Sequence, residues 1–174
     1  MTRASWWVMG ALAALASMPS AQAVEVARND VQGASGMCKA ATAAYAANAR
    51  YRPLGLANES DSSIFVTCNW QGDDNGDSGR GATRVYVVIT NNGSTSRSFT
   101  CTLVEGHQDG ALTFATQTPR TVSIAAGAGA TLQWVPTDLA GDPETIELPS
   151  LSCLLPANST LQYTGKEYNE DVGS

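Results

Sequence analysis

Asp73, Asn75 and Asp77 recur at every second position inside Gly72-Asp73-Asp74-Asn75-Gly76-Asp77-Ser78-Gly79, the spacing with which a loop wraps oxygen ligands around a calcium ion. The match is partial. A helix-flanked calcium loop places glycine sixth and a bidentate glutamate twelfth, where this chain has Ser78 and Arg84. The competing reading is a solvated acidic connection between two strands. Calcium is therefore the one cofactor the sequence suggests, and otherwise none is expected.

Nucleophilic catalysis finds little to work with. His107 is the only histidine, in the turn-like stretch Glu105-Gly106-His107-Gln108-Asp109-Gly110, and no Gly-x-Ser-x-Gly elbow accompanies it. Paired carboxylates for glycoside cleavage come from distant strands, so spacing along the chain does not reveal them. Trp70 and Trp134 alone would line such a cleft thinly. The expectation is a protein that is not an enzyme. The aromatic set Trp70, Trp134, Tyr51, Tyr86, Tyr163 and Tyr168 offers a different chemistry, stacking on sugar rings, with Trp70 the candidate ligand-binding residue beside the acidic loop. Against this stands the reading that such rings fill the core, and only an exposed cluster would favour binding. Asn58, Asn92 and Asn158 each open an Asn-x-Ser/Thr triplet, which matters only in a glycosylating host.

These residues belong to an exported chain. Arg3, the apolar run Trp6 to Ala16 and the segment Met18-Pro19-Ser20-Ala21-Gln22-Ala23 read as a cleaved signal peptide over 1–23, with Val24 the first mature residue. About eleven apolar residues are too few to span a bilayer, so no membrane insertion is expected, and the location is secreted or periplasmic. Of 174 residues, 23 belong to this leader, which leaves 151, suited to one domain. Of 10 Lys and Arg one is Arg3, so the mature chain sets 9 positive against 16 negative charges, a net of −7. That balance argues against nucleic acid or an anionic membrane surface as partner. An extracellular or periplasmic protein or glycan is the expected one.

Cys38, Cys68, Cys101 and Cys153 all follow the leader, and an even number in an exported chain implies two disulfides. Of three connectivities, Cys38–Cys68 with Cys101–Cys153 ties neighbouring segments without interleaving. Each bridge would contribute about 3 to 4 kcal/mol.

The elements that position these groups read as strands. Residues 24–37 are small and polar and predict a flexible N-terminal arm. Lys39 to Ala49 predicts a short, marginal helix or an irregular cover. From Leu54 onward, short β-branched runs separated by Gly, Asn, Asp, Ser and Pro predict an all-β, antiparallel β-sandwich of about eight strands over 38–174. The runs are 54–58, 63–70, 83–90, 98–104, 112–115, 120–124, 131–135, 147–154 and 160–168. The nearly continuous apolar run of 83–90 marks it as central. Asn91-Asn92-Gly93 predicts a tight turn, and Ala125 to Ala130 a mobile one.

The spacing Cys38, Gly55-Leu56-Ala57-Asn58-Glu59-Ser60, Val66-Thr67-Cys68, then Leu151-Ser152-Cys153-Leu154-Leu155-Pro156, Leu161-Gln162-Tyr163 and Glu167 resembles a group of small secreted bacterial proteins of unknown function. In them a Gly-x-x-Asn-x-Ser … Val-x-Cys hairpin and a terminal Cys-x-Leu-Pro … Tyr … Glu strand pair frame a disulfide-bonded β-sandwich. Where they often have Cys-Pro-Leu, this chain has Cys68-Asn69-Trp70. The resemblance implies fold and compartment but no activity. The expected function is an exported noncatalytic binding or structural module. Two alternatives are a calcium-assisted carbohydrate-binding domain using Asp73, Asn75, Asp77 and Trp70, and an inhibitor of a secreted hydrolase presenting loops 72–82 or 105–111.

Overall fold

The computed structural model describes residues 24–70, 81–109, 112–141 and 143–172. The expected leader and the candidate calcium ligands Asp73, Asn75 and Asp77 lie outside the described residues. In chain order the described elements are β1 (Glu25–Gly33), α1 (Ala34–Met37), β2 (Cys38–Ala40), α2 (Ala43–Ala46), β3 (Ala49–Arg52), β4 (Gly55–Asn58), β5 (Ile64–Asn69), β6 (Ala82–Asn91), β7 (Arg97–Asp109), β8 (Leu112–Ile124), β9 (Gly129–Trp134), β10 (Ser150–Leu155) and β11 (Ser159–Asp171). No helix among the described residues is long and apolar enough to cross a membrane.

Two antiparallel sheets form the expected sandwich. One has the order β3-β4-β11-β6-β9 with β1 also on β11, and the other the order β2-β5-β10-β7-β8. The period-2 alternation of the strands sets the core. Val85, Val87 and Ile89 of β6 turn inward and meet the inner row of the second sheet, including Ile64, Val66, Phe99, Leu151 and Leu155, all fully or almost fully buried. The β6 strand lies between β11 and β9, which agrees with its continuous apolar run.

Both disulfides pair as expected, Cys38 with Cys68 and Cys101 with Cys153. Each joins residues directly opposite one another on neighbouring strands, β2 with β5 and β7 with β10. All four cysteines face the core at 4% exposure or less.

Several expectations are corrected. Residues 24–37 are no loose arm: Glu25–Gly33 pairs with β11 over nine register positions, because an extended polar segment can satisfy its backbone on a neighbouring strand without contributing to the core. The Ala-rich stretch 39–49 forms only the single turn α2, flanked by β2 and β3; its one large apolar side chain, Tyr45, gives a longer helix nothing to bury. The stretch 105–109 is strand rather than turn, since β7 and β8 pair from Arg97↔Ile124 to Asp109↔Leu112. The runs 112–115 and 120–124 join into one strand through Pro119, which β8 tolerates as the edge of its sheet. Asn91-Asn92-Gly93 carries the chain from one sheet to the other rather than closing a hairpin. Residues 125–130 are held, not loose: Gly127 N–H donates to the Asn91 carbonyl at 2.8 Å, and Asn91 N–H donates to that of Ala128 at 2.9 Å.

Of the residues that carry the resemblance, Gly55, Asn58, Ser60, Leu155, Pro156 and Leu161 meet at one end of the sandwich. Gly55, at φ 154°, leaves no room for a Cβ, which would stand 2.5 Å from the Leu161 carbonyl oxygen. Asn58 is fully buried, and its amide donates to the carbonyls of Ser62, Leu155 and Pro156 at 2.7, 2.9 and 3.1 Å. Ser60 Oγ donates to Asn58 Oδ1 at 2.7 Å.

Candidate functional site

The outer face of the six-stranded sheet holds the candidate site. Since Val85, Val87 and Ile89 point inward, the alternation turns Arg84, Tyr86 and Val88 out. On β11 the alternation changes phase at Gln162. Leu161 is opposite Ile89 and Tyr163 is opposite Val88, so Gln162 is the extra residue of a β-bulge. After it Tyr163 and Gly165 face outward while Thr164 and Lys166 face inward, both of these buried.

Gly165 is what lets Tyr86 lie down. A Cβ at Gly165 would stand 2.3 Å from Tyr86 Cζ, so the ring crosses the β11 backbone where only glycine fits. The ring is then fixed from its other sides. Tyr86 Oη donates to Asn29 Oδ1 of β1 at 3.1 Å, and the Arg84 guanidinium lies 4.7 Å from the ring centroid. Arg84 Nη1 also reaches Glu167 Oε1 at 2.8 Å. Tyr163 meets Tyr86 edge-on, with centroids 6.5 Å apart and planes at 89°, and stays 38% exposed. Val31, opposite Gly165 on β1, is exposed beside it. An apolar patch of Val31, Tyr163 and Tyr86 thus stands on a rigid base, with the Arg84–Glu167 pair at its border.

Toward the start of β11 the same face opens into a cleft of about 390 Å³. Its walls are Arg52, Leu54 and Glu59 from the β3–β4 hairpin on one side, and Asn92, Asn158 and Gln162 on the other. Arg52 donates from Nε and Nη2 to Glu59 Oε1 at 3.1 and 2.5 Å, so its charge is neutralised within the wall. Asn92 donates through its amide to Thr160 Oγ1 at 2.7 Å and through its backbone N–H to the Asn158 carbonyl at 2.9 Å. Asn158 has φ 55°, a left-handed turn position that asparagine tolerates.

Of the candidate residues, the structure brings together two rings of the aromatic set, Tyr86 and Tyr163. Trp70 is not one of the platform rings. It is 8% exposed and belongs to the core cluster, with Nε1 unpartnered among the described residues. It stands just past the end of β5, two residues after Cys68, and so continues that strand's inward row. Trp134 is fully buried and donates from Nε1 to the Thr118 carbonyl at 2.9 Å. His107 is exposed on β7, in the other sheet. Of the three Asn-x-Ser/Thr triplets, Asn58 is inside the protein, whereas Asn92 and Asn158 line the cleft. Sequence reasoning missed Gly165, the Gln162 bulge and the amide-rich wall. The one visible signal was Gly165 within an otherwise well-filled strand, a mark of close approach.

No protein-family model matches the chain, and no curated relative does. Among solved structures it is similar to the CBM22-1 and GH10 modules of the Clostridium thermocellum endo-1,4-β-D-xylanase 10B in complex with xylohexaose, at TM-score 0.38 and 17% identity over 66% of this chain and 21% of that one. The chain thus spans about a fifth of that structure's length. It is similar also to a family 11 carbohydrate-binding module from Clostridium thermocellum in complex with a β-1,3-1,4-mixed-linked tetrasaccharide, at TM-score 0.38 and 8% identity over 91% of this chain and 92% of that one. A third is TmCBM61 in complex with β-1,4-galactotriose, at TM-score 0.29 and 13% identity over 82% and 88% of the two chains.

Proposed function

We propose that this protein is a noncatalytic glycan-binding module acting outside the cytoplasm, with the outer face of the six-stranded sheet as its binding surface. The observation that carries this is the half-exposed Tyr163 ring, braced edge-on by Tyr86 and followed along β11 by an amide-lined cleft. An aromatic face takes the apolar side of a sugar ring, and convergent amides and hydroxyls take its hydroxyl groups. Two core-facing disulfides support an oxidising compartment.

Retention on immobilised polysaccharides tests the proposal. Tyr163→Ala is expected to weaken retention at least tenfold, about 1.4 kcal/mol, without changing the melting temperature by more than a few degrees. Retention unaffected by that change would place binding elsewhere. Calcium assistance rests on the spacing of Asp73, Asn75 and Asp77 alone. Metal bound only to the native state raises its stability, so melts in calcium and in EDTA that coincide would reduce this loop to a connection.

A further inference from the structure

Resting on the glycan reading above, we propose that the ligand is an uncharged polysaccharide chain, running along β11 from Tyr163 into the cleft, rather than a single sugar or an acidic polymer. The first argument is the state of the charges. The arginine that lines the cleft and the one that borders the rings each carry a carboxylate partner: Arg52 pairs with Glu59 through two donors, and Arg84 with Glu167 while it also lies against the ring of Tyr86. An anionic ligand would meet the carboxylates of Glu59 and Glu167 beside these two guanidinium groups, while a neutral one meets no such repulsion. The whole chain carries a net charge of −6, which repels polyanions as well.

The second argument is the chemistry of the cleft wall. The cleft presents the carboxamides of Asn92, Asn158 and Gln162. A carboxamide donates and accepts at once, which matches hydroxyl groups that do the same. The third argument is length. Tyr163 is opposite Val88, and Asn92, on the cleft wall, lies four residues beyond Val88 in the chain, about 13 Å along that path. A ligand that touches both must be longer than one sugar ring. Leu54, 86% exposed, extends β4 past Gly55, which lies against Leu161 and Gln162, and so supplies a second apolar contact at the Tyr163 end of that path.

Affinity electrophoresis of the oxidised protein through gels containing neutral β-glucan, neutral xylan, polygalacturonate or alginate, each in 20 mM and 500 mM NaCl, tests this. The expected result is retardation by a neutral polymer that changes less than twofold between the two salts. Gln162→Ala should weaken it five- to tenfold and Tyr163→Ala abolish it, with a neutral hexasaccharide competing and its monosaccharide not. Retardation by polygalacturonate or alginate that needs Tyr163 and falls tenfold in high salt would overturn the uncharged ligand and leave the binding face standing. Equal competition by the monosaccharide would overturn the chain. Loss of all retardation would overturn the glycan reading itself, and retardation indifferent to Tyr163→Ala would place binding on another face and overturn the path along β11. Thermal melts of both variants separate loss of binding from loss of fold.

Discussion

Asn58 and Asn91 are a matched pair, one at the end of β4 and one at the end of β6, each directly opposite Ser159 of β11 and each fully buried. Asn91 donates to the carbonyls of Thr95, Ile124 and Ala125 at 2.8, 2.9 and 3.2 Å, as Asn58 does to those of Ser62, Leu155 and Pro156. Each also accepts a backbone N–H two residues on, from Gly93 and Ser60 at 3.0 and 3.1 Å. Chain segments crossing between the sheets are thereby fastened at one end of the sandwich, beside the cleft.

Truncating either member strands buried carbonyls without donors. Asn58→Ala and Asn91→Ala are each expected to cost about 2–3 kcal/mol in urea unfolding. A loss below about 0.5 kcal/mol would show that water replaces the amide at no cost.

Asn58→Asp makes a sharper test, because it keeps the shape and removes the donors. The introduced carboxyl faces three carbonyl oxygens in a buried site, so the native state favours its protonated form. Its folded pKa lies above the unfolded value of about 3.9, and the deficit relative to the parent must grow as pH rises through about 4 and upward. Unfolding free energies of variant and parent measured from pH 3.5 to 7 check the sign; a deficit that shrinks with rising pH would contradict the buried geometry.

Because all four cysteines face the core, reduction requires the sandwich to open. In native buffer, dithiothreitol should leave the intact mass unchanged, whereas in urea both bridges should reduce. Replacing Cys101 and Cys153 together by alanine should cost about 4 kcal/mol, given their separation of 52 residues. Fast reduction of the folded protein would show that the strands part more readily than their burial implies.

Gly165→Ala should act on the site through Tyr86. The added methyl occupies the space of the Tyr86 ring, which Asn29 and Arg84 hold in place, so the strand or the ring must shift at a cost of about 1–3 kcal/mol. Tyr163 loses its edge-on support in the same step. Polysaccharide retention should fall along with the melting temperature, and an unchanged melt would mean that Tyr86 swings aside freely.

The sequence by itself determined the β-sandwich, the central place of β6 and the disulfide pairing. All three rest on local patterns: short β-branched runs between regularly spaced turn residues, one nearly continuous apolar run, and an even set of cysteines whose order favoured non-interleaved bridges. The polar segment 24–33 escaped it because a strand that adds hydrogen bonds without apolar burial leaves no hydrophobic signature. The binding face escaped it for a related reason. One residue of slippage at Gln162 exchanges the inner and outer rows of β11, and only the pairing of β11 with β6 reveals it. Trp70 looked like a platform by residue type and became core by parity, while Tyr163 became the exposed ring because the bulge precedes it. Which aromatic ring meets solvent was decided by register, a property of two strands far apart in sequence.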